Sequence, residues 1–212
     1  MSDFRRRLMI CKKSESELPK GYTKLNYLES TGNQYIDTDI LSNNDSGCEM
    51  RFQYTDATST TQYAIGSLEV NTARFSPLFI EPNKNASIKS AFYYTNTINL
   101  QRKFYANEAD TDIHFIKYNC DGSGIIIFDD INCGKVEEIG NSTKTTIYLF
   151  ARHYNGVNYP SKIKIYKCII YEKGRKVRNF MPALDSSGKP CMFDTISKKP
   201  FYNQGKGEFL YG

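Results

Sequence analysis

The feature that most constrains this chain is a two-residue alternation of apolar and polar side chains, repeated in short segments from Leu25 onward. Segment 48–54 places Cys, Met, Phe and Tyr at alternate positions, separated by Glu, Arg and Gln. This is the pattern of a strand with one buried face. Ile163 and Ile165 alternate with lysines in the same way, and no segment of the body has a long helical period. The chain also has 16 Tyr and 13 Phe among its 212 residues, and aromatic residues favour strands.

Further strands are expected on either side of turn residues. Segments 113–118 and 124–128 flank Asp121-Gly122, a residue pair that suits the tight turn of a β-hairpin. Segments 145–152 and 175–181 are also predicted strands. So many strands require two packed sheets or a barrel, because one sheet would leave an apolar face in water. We therefore predict an all-β, two-sheet antiparallel sandwich over residues 22–212, preceded by a basic arm and linker over residues 1–21.

The charge of the chain is concentrated at its head. The net charge is +5, and residues 1–24 hold seven basic and three acidic residues. That head therefore carries a surplus of four, which leaves only one for residues 25–212. A body so balanced lacks the clustered cations of a nucleic-acid groove.

No apolar run approaches the roughly 20 residues that a transmembrane helix needs, and segment 8–11 is too short for a secretory signal.

The six cysteines show no CxxC motif and no Cys/His metal spacing. We therefore expect all six to be reduced, which fits assembly in a cytoplasm.

Six segments resemble a known group of domains. Segment 28–38 reads LESTGNQYIDT, which is similar to the opening Y-I-E-S-T-G-T-Q-Y-I-D-T-G of concanavalin A-like, laminin-G-like jelly-roll domains from phages, prophages and gut bacteria. The closing segment 201–209, FYNQGKGEF, is also similar, as are segments 148–152, 162–166, 177–182 and 192–194. The resemblance spans about residues 25–212, with a poorly matched middle at roughly 55–110. It implies a jelly-roll sandwich whose terminal strands pair with each other.

The resemblance also implies a setting. The head of the chain looks like the short arm on many phage versions, and its anchoring residues would be Phe4, Arg5, Arg6, Arg7 and Leu8. We expect a non-enzymatic structural or adhesion protein of a phage particle, in a head fibre, tail fibre or capsid decoration. Its expected partners are capsid or tail proteins, bound through the arm, and further copies of itself. It would be assembled in the host cytoplasm, and neither nucleic acid nor a membrane is an expected partner. The arm as a plain disordered tail, or as a nucleic-acid or membrane patch, remains an alternative. So does a bacterial carbohydrate-binding module with no virion role.

Host-surface glycans are a further expected ligand. Sugar sites stack an aromatic ring on a pyranose and surround it with planar polar groups. The chain offers tyrosines beside amides in loop 153–159 and a second tyrosine pair elsewhere. The candidate residues are Tyr154, Asn155, Asn158, Tyr159, Tyr93 and Tyr94. The alternative is that these tyrosines are half-buried strand residues.

Catalysis and metal binding have weaker support. A glycosidase needs two carboxylates on one face, but the run Glu108-Ala109-Asp110-Thr111-Asp112 is expected in a loop, and the adjacent Glu137 and Glu138 would point to opposite faces. The two histidines, His114 and His153, lack a nearby nucleophile motif. We predict no enzyme activity and no cofactor. Calcium has candidate oxygen ligands at Asp129, Asp130 and Asn132, although Asp and Asn also favour turns for backbone reasons.

Overall fold

A computed structural model describes residues 18–57, 60–69, 73–81, 87–94, 100–104, 110–135 and 143–212. The regular structure of these residues is entirely β, in nineteen strands that form two sheets. The sheets pack face to face as a sandwich, so the predicted all-β, two-sheet architecture is confirmed, and the arrangement is consistent with a jelly roll. None of the described residues belongs to a helix that could cross a membrane.

Sheet A contains eleven of these strands. The path β11-β10-β9-β4-β15-β16-β17-β18 runs across the sheet, β2 pairs with β15 and with β19, and β1 pairs with β16. The strands of sheet A are β1 (Thr23–Lys24), β2 (Leu28–Thr31), β4 (Ser46–Tyr54), β9 (His114–Tyr118), β10 (Ile125–Phe128), β11 (Ile131–Lys135), β15 (Lys162–Glu172), β16 (Arg175–Leu184), β17 (Pro190–Asp194), β18 (Lys199–Tyr202) and β19 (Leu210–Tyr211).

Sheet B contains the other eight strands. Its path is β14-β13-β5-β6-β7-β8, and β12 pairs with both β5 and β3. The strands of sheet B are β3 (Ile36–Leu41), β5 (Gln62–Glu69), β6 (Ala73–Glu81), β7 (Ser87–Tyr94), β8 (Leu100–Phe104), β12 (Thr146–Leu149), β13 (Arg152–His153) and β14 (Val157–Asn158).

The core lies between the two sheets and follows the sequence alternation. The apolar positions of β4 are fully buried in one cluster with the inward residues of β15, as predicted. Phe75 from sheet B meets Tyr118 from sheet A with ring centroids 6.1 Å apart. The predicted hairpin is also confirmed, since β9 and β10 pair antiparallel across the loop that contains Gly122 at φ +83°.

The opening and closing segments of the resemblance interlock. Strand β19 pairs with β2, as the resemblance implied for the terminal strands. Lys206 N–H donates to the Asn33 carbonyl at 3.1 Å, and Gln204 N–H donates to the Tyr35 carbonyl at 2.9 Å. Gly205 lies so close to this turn that an added Cβ would be 2.0 Å from the Asn33 oxygen. The closing glycine is therefore required by a close approach of two backbones.

One predicted strand is wrong. Segment 145–152 was expected to be continuous, but it ends as β12 at Leu149 and resumes as β13 at Arg152. Between them Phe150 has φ +66° and its ring is fully buried against Phe209, with centroids 4.7 Å apart. The core contact of Phe150 holds the backbone in a left-handed conformation that ends the ladder.

The predicted anchoring residues Phe4, Arg5, Arg6, Arg7 and Leu8 lie outside the described residues, as does Cys11. The described chain begins with a segment that packs on sheet A, where Leu18 and Tyr22 contact Ala183, Cys191 and Phe193. The five described cysteines are free thiols.

Candidate functional site

The chain reverses direction at Phe150 and so builds a cluster at the β13–β14 edge of sheet B. Strand β12 runs antiparallel to β5, whereas β13 runs parallel to it. The turn is fixed by two backbone hydrogen bonds, from Phe150 N–H to the Ala64 carbonyl and from Ser161 N–H to the Phe150 carbonyl, each 2.7 Å long. Because of this reversal, Arg152 and His153 lie back over strands that precede them in the fold.

Arg152 is the centre of the cluster. Its Cζ lies 4.3 Å from the ring centroid of Tyr63, 5.1 Å from that of Tyr159 and 5.9 Å from that of Tyr154. We call these four residues the Arg152 cluster. A Cβ on Gly66 would lie 3.4 Å from Arg152 Cγ, so the glycine lets the arginine stem lie on β5. Arg152 is 5% exposed, and a desolvated guanidinium over aromatic faces contributes about 2 kcal/mol.

The predicted glycan loop forms the rim of this cluster. Tyr154, Asn155 and Gly156 connect β13 to β14, with a 2.8 Å hydrogen bond from Tyr154 N–H to the Gly156 carbonyl. Tyr159 leaves the hairpin at φ +49°, and its carbonyl accepts a 3.1 Å hydrogen bond from Tyr63 N–H. Tyr154 is half-buried and Asn155 is exposed, while 46% of Tyr159 remains exposed. The loop therefore presents one tyrosine ring to solvent from a backbone tied to β5.

A stack of three rings lies next to the cluster. His153 stacks on Tyr148 with centroids 4.1 Å apart, and Tyr148 stacks on Tyr35 at 4.8 Å. Thr146 Oγ1 donates to Asp37 at 2.9 Å and lies 3.1 Å from His153 Nδ1. Burial, followed by the charge of Asp37, raises the pKa of Tyr148 to about 12. The stack holds His153, and hence the start of the loop, in a fixed position.

The remaining predicted glycan residues are not shown to join this cluster. Tyr93 and Tyr94 lie on β7, where the register places them opposite Arg74 and Ala73 of β6. Strand β7 is therefore separated from β5 by β6, and from the loop by β5 as well. The backbone of Asn158 pairs with Arg152 across the β13–β14 hairpin.

A second cluster surrounds His114, which we call the His114 clamp. His114 Nε2 lies 2.7 Å from Asp110 Oδ1, and His114 Nδ1 lies 2.5 Å from Asp129 Oδ2. The other oxygen of Asp129 accepts a 2.7 Å hydrogen bond from Phe115 N–H. Burial lowers the pKa of His114, but the hydrogen bonds to Asp129 and Asp110 and their charges outweigh it, so the pKa is raised. Carboxylates at both ring nitrogens favour the protonated imidazole, which can donate to each of them.

The calcium candidates Asp129, Asp130 and Asn132 lie in the β10–β11 hairpin, and Asp129 also belongs to the His114 clamp. Asp129 and Asp130 are the two central residues of the β10–β11 hairpin, with φ +47° and +65°, as a type I′ turn requires. Asn132 Oδ1 accepts a 2.8 Å hydrogen bond from Gly134 N–H. Within the described residues, no group of three or more His, Cys, Asp or Glu side chains could hold a metal ion.

The carboxylates considered for catalysis lie elsewhere. Asp110 and Asp112 are exposed in a loop, as expected, whereas Glu108, Glu137 and Glu138 lie outside the described residues.

Sequence reasoning missed Tyr63 and Arg152 and considered Asp110 and Asp129 only in other roles. Tyr63 and Arg152 come from a strand and a strand end that carry no motif. Asp110 lies four residues before His114, whereas Asp129 meets it through the β9–β10 pairing. Tyr63 and Arg152 belong to strands, whereas Asp110 and Asp129 lie in a loop and a turn. The sequence shows the type of each residue but not its neighbours in the fold.

Comparison with known proteins gives a likeness of fold. A β-1,3-glucanase from Mycobacterium marinum aligns with a TM-score of 0.43 and 12% identity over 65% of this chain and 67% of that one. An uncharacterized protein from Mycobacterium paratuberculosis aligns with a TM-score of 0.40 and 11% identity over 72% and 82% of the two chains. No family model and no curated protein matches this chain. At such scores and identities the likenesses carry no information about what the chain binds.

Proposed function

We propose that this chain is a non-enzymatic adhesion protein that binds surface glycans through the Arg152 cluster. The observation that carries the proposal is Tyr159, which is 46% exposed yet held at its backbone by Tyr63 and at its ring by Arg152. A ring fixed before binding loses little conformational entropy when a sugar stacks on it. Asn155, exposed at the tip of the same loop, would provide amide hydrogen bonds to sugar hydroxyls.

The carboxylates of the described chain also favour binding over hydrolysis. Glycosidases need one carboxyl group as acid and a second as nucleophile or base across the scissile bond. Within the described ranges, Asp110 and Asp129 converge on one group, His114, and both are hydrogen-bonded to it. We therefore propose that the chain holds glycans without cleaving them, and that it needs no cofactor.

The proposed setting is a phage particle, and its support is the resemblance of segments 28–38 and 201–209 together with the basic head of the chain. The arm residues 4–8 would attach the sandwich to capsid or tail proteins, and several copies would display it as a fibre or decoration. Deletion of residues 1–13 should abolish incorporation into particles while the sandwich still unfolds cooperatively. Incorporation of the truncated chain would contradict this attachment and would favour a bacterial carbohydrate-binding module.

The glycan proposal is tested by retention on an array of bacterial surface polysaccharides. We expect the intact chain to be retained on at least one polysaccharide and Tyr159→Ala to be retained about tenfold less, since a lost stacking ring costs about 0.5–1.5 kcal/mol beyond its buried area. The matched control is Tyr211→Ala, which removes a ring that is 48% exposed in sheet A. Equal losses for both variants, or release of reducing ends from the retained polysaccharide, would contradict the proposal.

A further inference from the structure

A groove lies on the outer face of sheet A, whereas the Arg152 cluster belongs to sheet B. Its volume is about 500 Å³, within the range of roughly 300–1,000 Å³ that small-molecule sites occupy. Strand β15 pairs with β2 through Lys162–Ile165 and with β16 through Cys168–Glu172. The groove lies where these two pairings meet, because neither partner strand covers Tyr166 and Lys167.

The lining of the groove is cationic. Lys24, Arg51 and Lys167 line it, and none of its lining residues is Asp or Glu. Lys167 has one carboxylate nearby, Glu49, at 3.6 Å. Among the described residues, neither Lys24 nor Arg51 forms a salt bridge. Two exposed cations at one concave site therefore have charge available for an anion.

Arg51 is held in place by the aromatic floor of the groove. Its Cζ lies 5.4 Å from the ring centroid of Tyr166. The Tyr166 hydroxyl donates a 2.9 Å hydrogen bond to Gln53 Oε1, and its ring packs edge-on against Tyr27. An arginine fixed over a ring can bind a carboxylate through its planar guanidinium group with little loss of side-chain entropy.

The other lining residues suit a sugar. Asn26 is exposed at the groove, and Leu25 and Met181 add partly buried apolar surface. Amides and apolar surface around a carboxylate-binding arginine match a sugar ring that bears one carboxylate. A nucleic-acid strand fits less well, because its closely spaced phosphates would also approach Glu49 and Glu29 on the same sheet face.

We propose that this groove is a second binding site, specific for the carboxylates of uronic-acid polysaccharides, with Arg51 as the central contact. The site is independent of the Arg152 cluster and rests on other residues and another sheet. It would let the sandwich bind an acidic polymer at the groove while the Arg152 cluster binds a different glycan.

The test is binding of oligogalacturonate, with its methyl ester as an uncharged analogue of the same shape. We expect the intact chain to bind oligogalacturonate, to bind the methyl ester at least tenfold more weakly, and to lose affinity as salt is raised. Arg51→Gln should weaken binding about tenfold or more. Arg175→Gln, which removes an exposed arginine at the far end of β16, should leave binding unchanged.

Two further probes separate this proposal from other anionic partners. Oligoglutamate and a single-stranded oligonucleotide of matched charge should bind more weakly than oligogalacturonate. Equal or tighter binding of either probe, dependent on Arg51, would overturn the uronic-acid assignment. Binding that Arg51→Gln leaves intact, or no binding of oligogalacturonate, would overturn the site itself. Tyr159→Ala should not change the binding of oligogalacturonate. Each proposed site is therefore tested by its own variant and ligand, and a negative result for one site does not decide the other.

Discussion

The imidazole of His153 lies parallel to the ring of Tyr148, with centroids 4.1 Å apart and planes 15° apart. These residues are five apart in sequence, and they meet because the chain reverses at Phe150 between them. The same reversal brings Arg152 over Tyr63 at 4.3 Å. The stack is thus the fixed point from which the exposed loop 154–159 extends.

Removal of this stack should loosen the loop more than the sandwich. We expect His153→Ala to lower the free energy of unfolding by about 0.5–1.5 kcal/mol, the usual value of an aromatic pair. It should also speed proteolytic cleavage within residues 154–159, since the loop would lose the contacts of His153 to Tyr148 and Thr146. Val157→Ala, an exposed position of the same hairpin, is the control. Equal cleavage rates in wild type and His153→Ala would show that the stack does not position the loop.

The contact between Gly205 and Asn33 should tolerate no side chain. An alanine Cβ would lie 2.0 Å from the Asn33 oxygen, so one of the two backbone segments must move and the hydrogen bonds that flank this contact must weaken. We expect Gly205→Ala to lower the free energy of unfolding by at least about 1–3 kcal/mol, as overpacking does. Lys206→Ala changes the exposed neighbour and should stay within about 0.5 kcal/mol of wild type in urea unfolding. Similar stability of the two variants would contradict the interlock.

The His114 clamp should make stability depend on pH in a defined direction. The pKa of His114 is raised in the fold, so its stabilisation is complete below its ordinary value of about 6.5 and is lost as pH rises through the raised value. Partial burial raises the pKa of Asp110, but the Asp112 N–H and His114 outweigh it and lower the pKa. The contribution of Asp110 is therefore present above its ordinary value of about 3.9 and is lost as pH falls through the lowered one.

Urea unfolding at several pH values tests this linkage. We expect Asp129→Asn to be less stable than wild type near neutral pH by about 1–3 kcal/mol. Its side chain has one acceptor oxygen for the two donors His114 and Phe115 N–H, and it has no negative charge to pair with an imidazolium. The difference should shrink at high pH, where the imidazole is neutral. Asp112→Asn removes an exposed carboxylate of the same loop and should keep the wild-type pH profile. A constant difference between wild type and Asp129→Asn at all pH values would rule out a charged His114.

The thiols should react according to their burial. Cys48 and Cys168 are fully buried, and burial raises the pKa of both well above the ordinary value. Burial also raises the pKa of Cys191 to about 12. In a Cys11→Ser background we expect these three thiols to resist a disulfide reagent in the native chain and to react at once in urea. The half-buried Cys133 should react first. Rapid native labelling of Cys168 would contradict the described core.

The alternation of segment 48–54 was enough to predict a half-buried strand, because each of its apolar residues has the same partner, the opposite sheet. The strand break at Phe150 could not be predicted in this way. Phe150 belongs to an apolar run, and its left-handed backbone is imposed by a distant contact with Phe209 and by the hydrogen bond to Ala64. The residues next to Phe150 in the sequence do not indicate such tertiary contacts.

In the candidate sites, too, the sequence predicts local features but not long-range contacts. Tyr154 and Tyr159 could be found because a loop rich in rings and amides is a local signal. Their partner Tyr63 lies about 90 residues earlier in the chain, and only the pairing of β12 and β13 with β5 brings it near. The groove of sheet A was missed for a related reason. Arg51 and Lys167 have the pattern of ordinary solvated strand positions. The gap beside them arises only where the pairings of β2 and β16 with β15 meet.

The most direct test of glycan binding is to observe the tyrosine rings during titration. A chain with ring-labelled tyrosine, assigned by single Tyr→Phe variants, would be titrated by NMR with neutral oligosaccharides from bacterial β-glucans, galactans and mannans. The account predicts that the ring signals of Tyr159 and Tyr154 shift with at least one of them, while that of Tyr211 stays fixed. Shifts confined to other tyrosines, or none with any of these sugars, would contradict it.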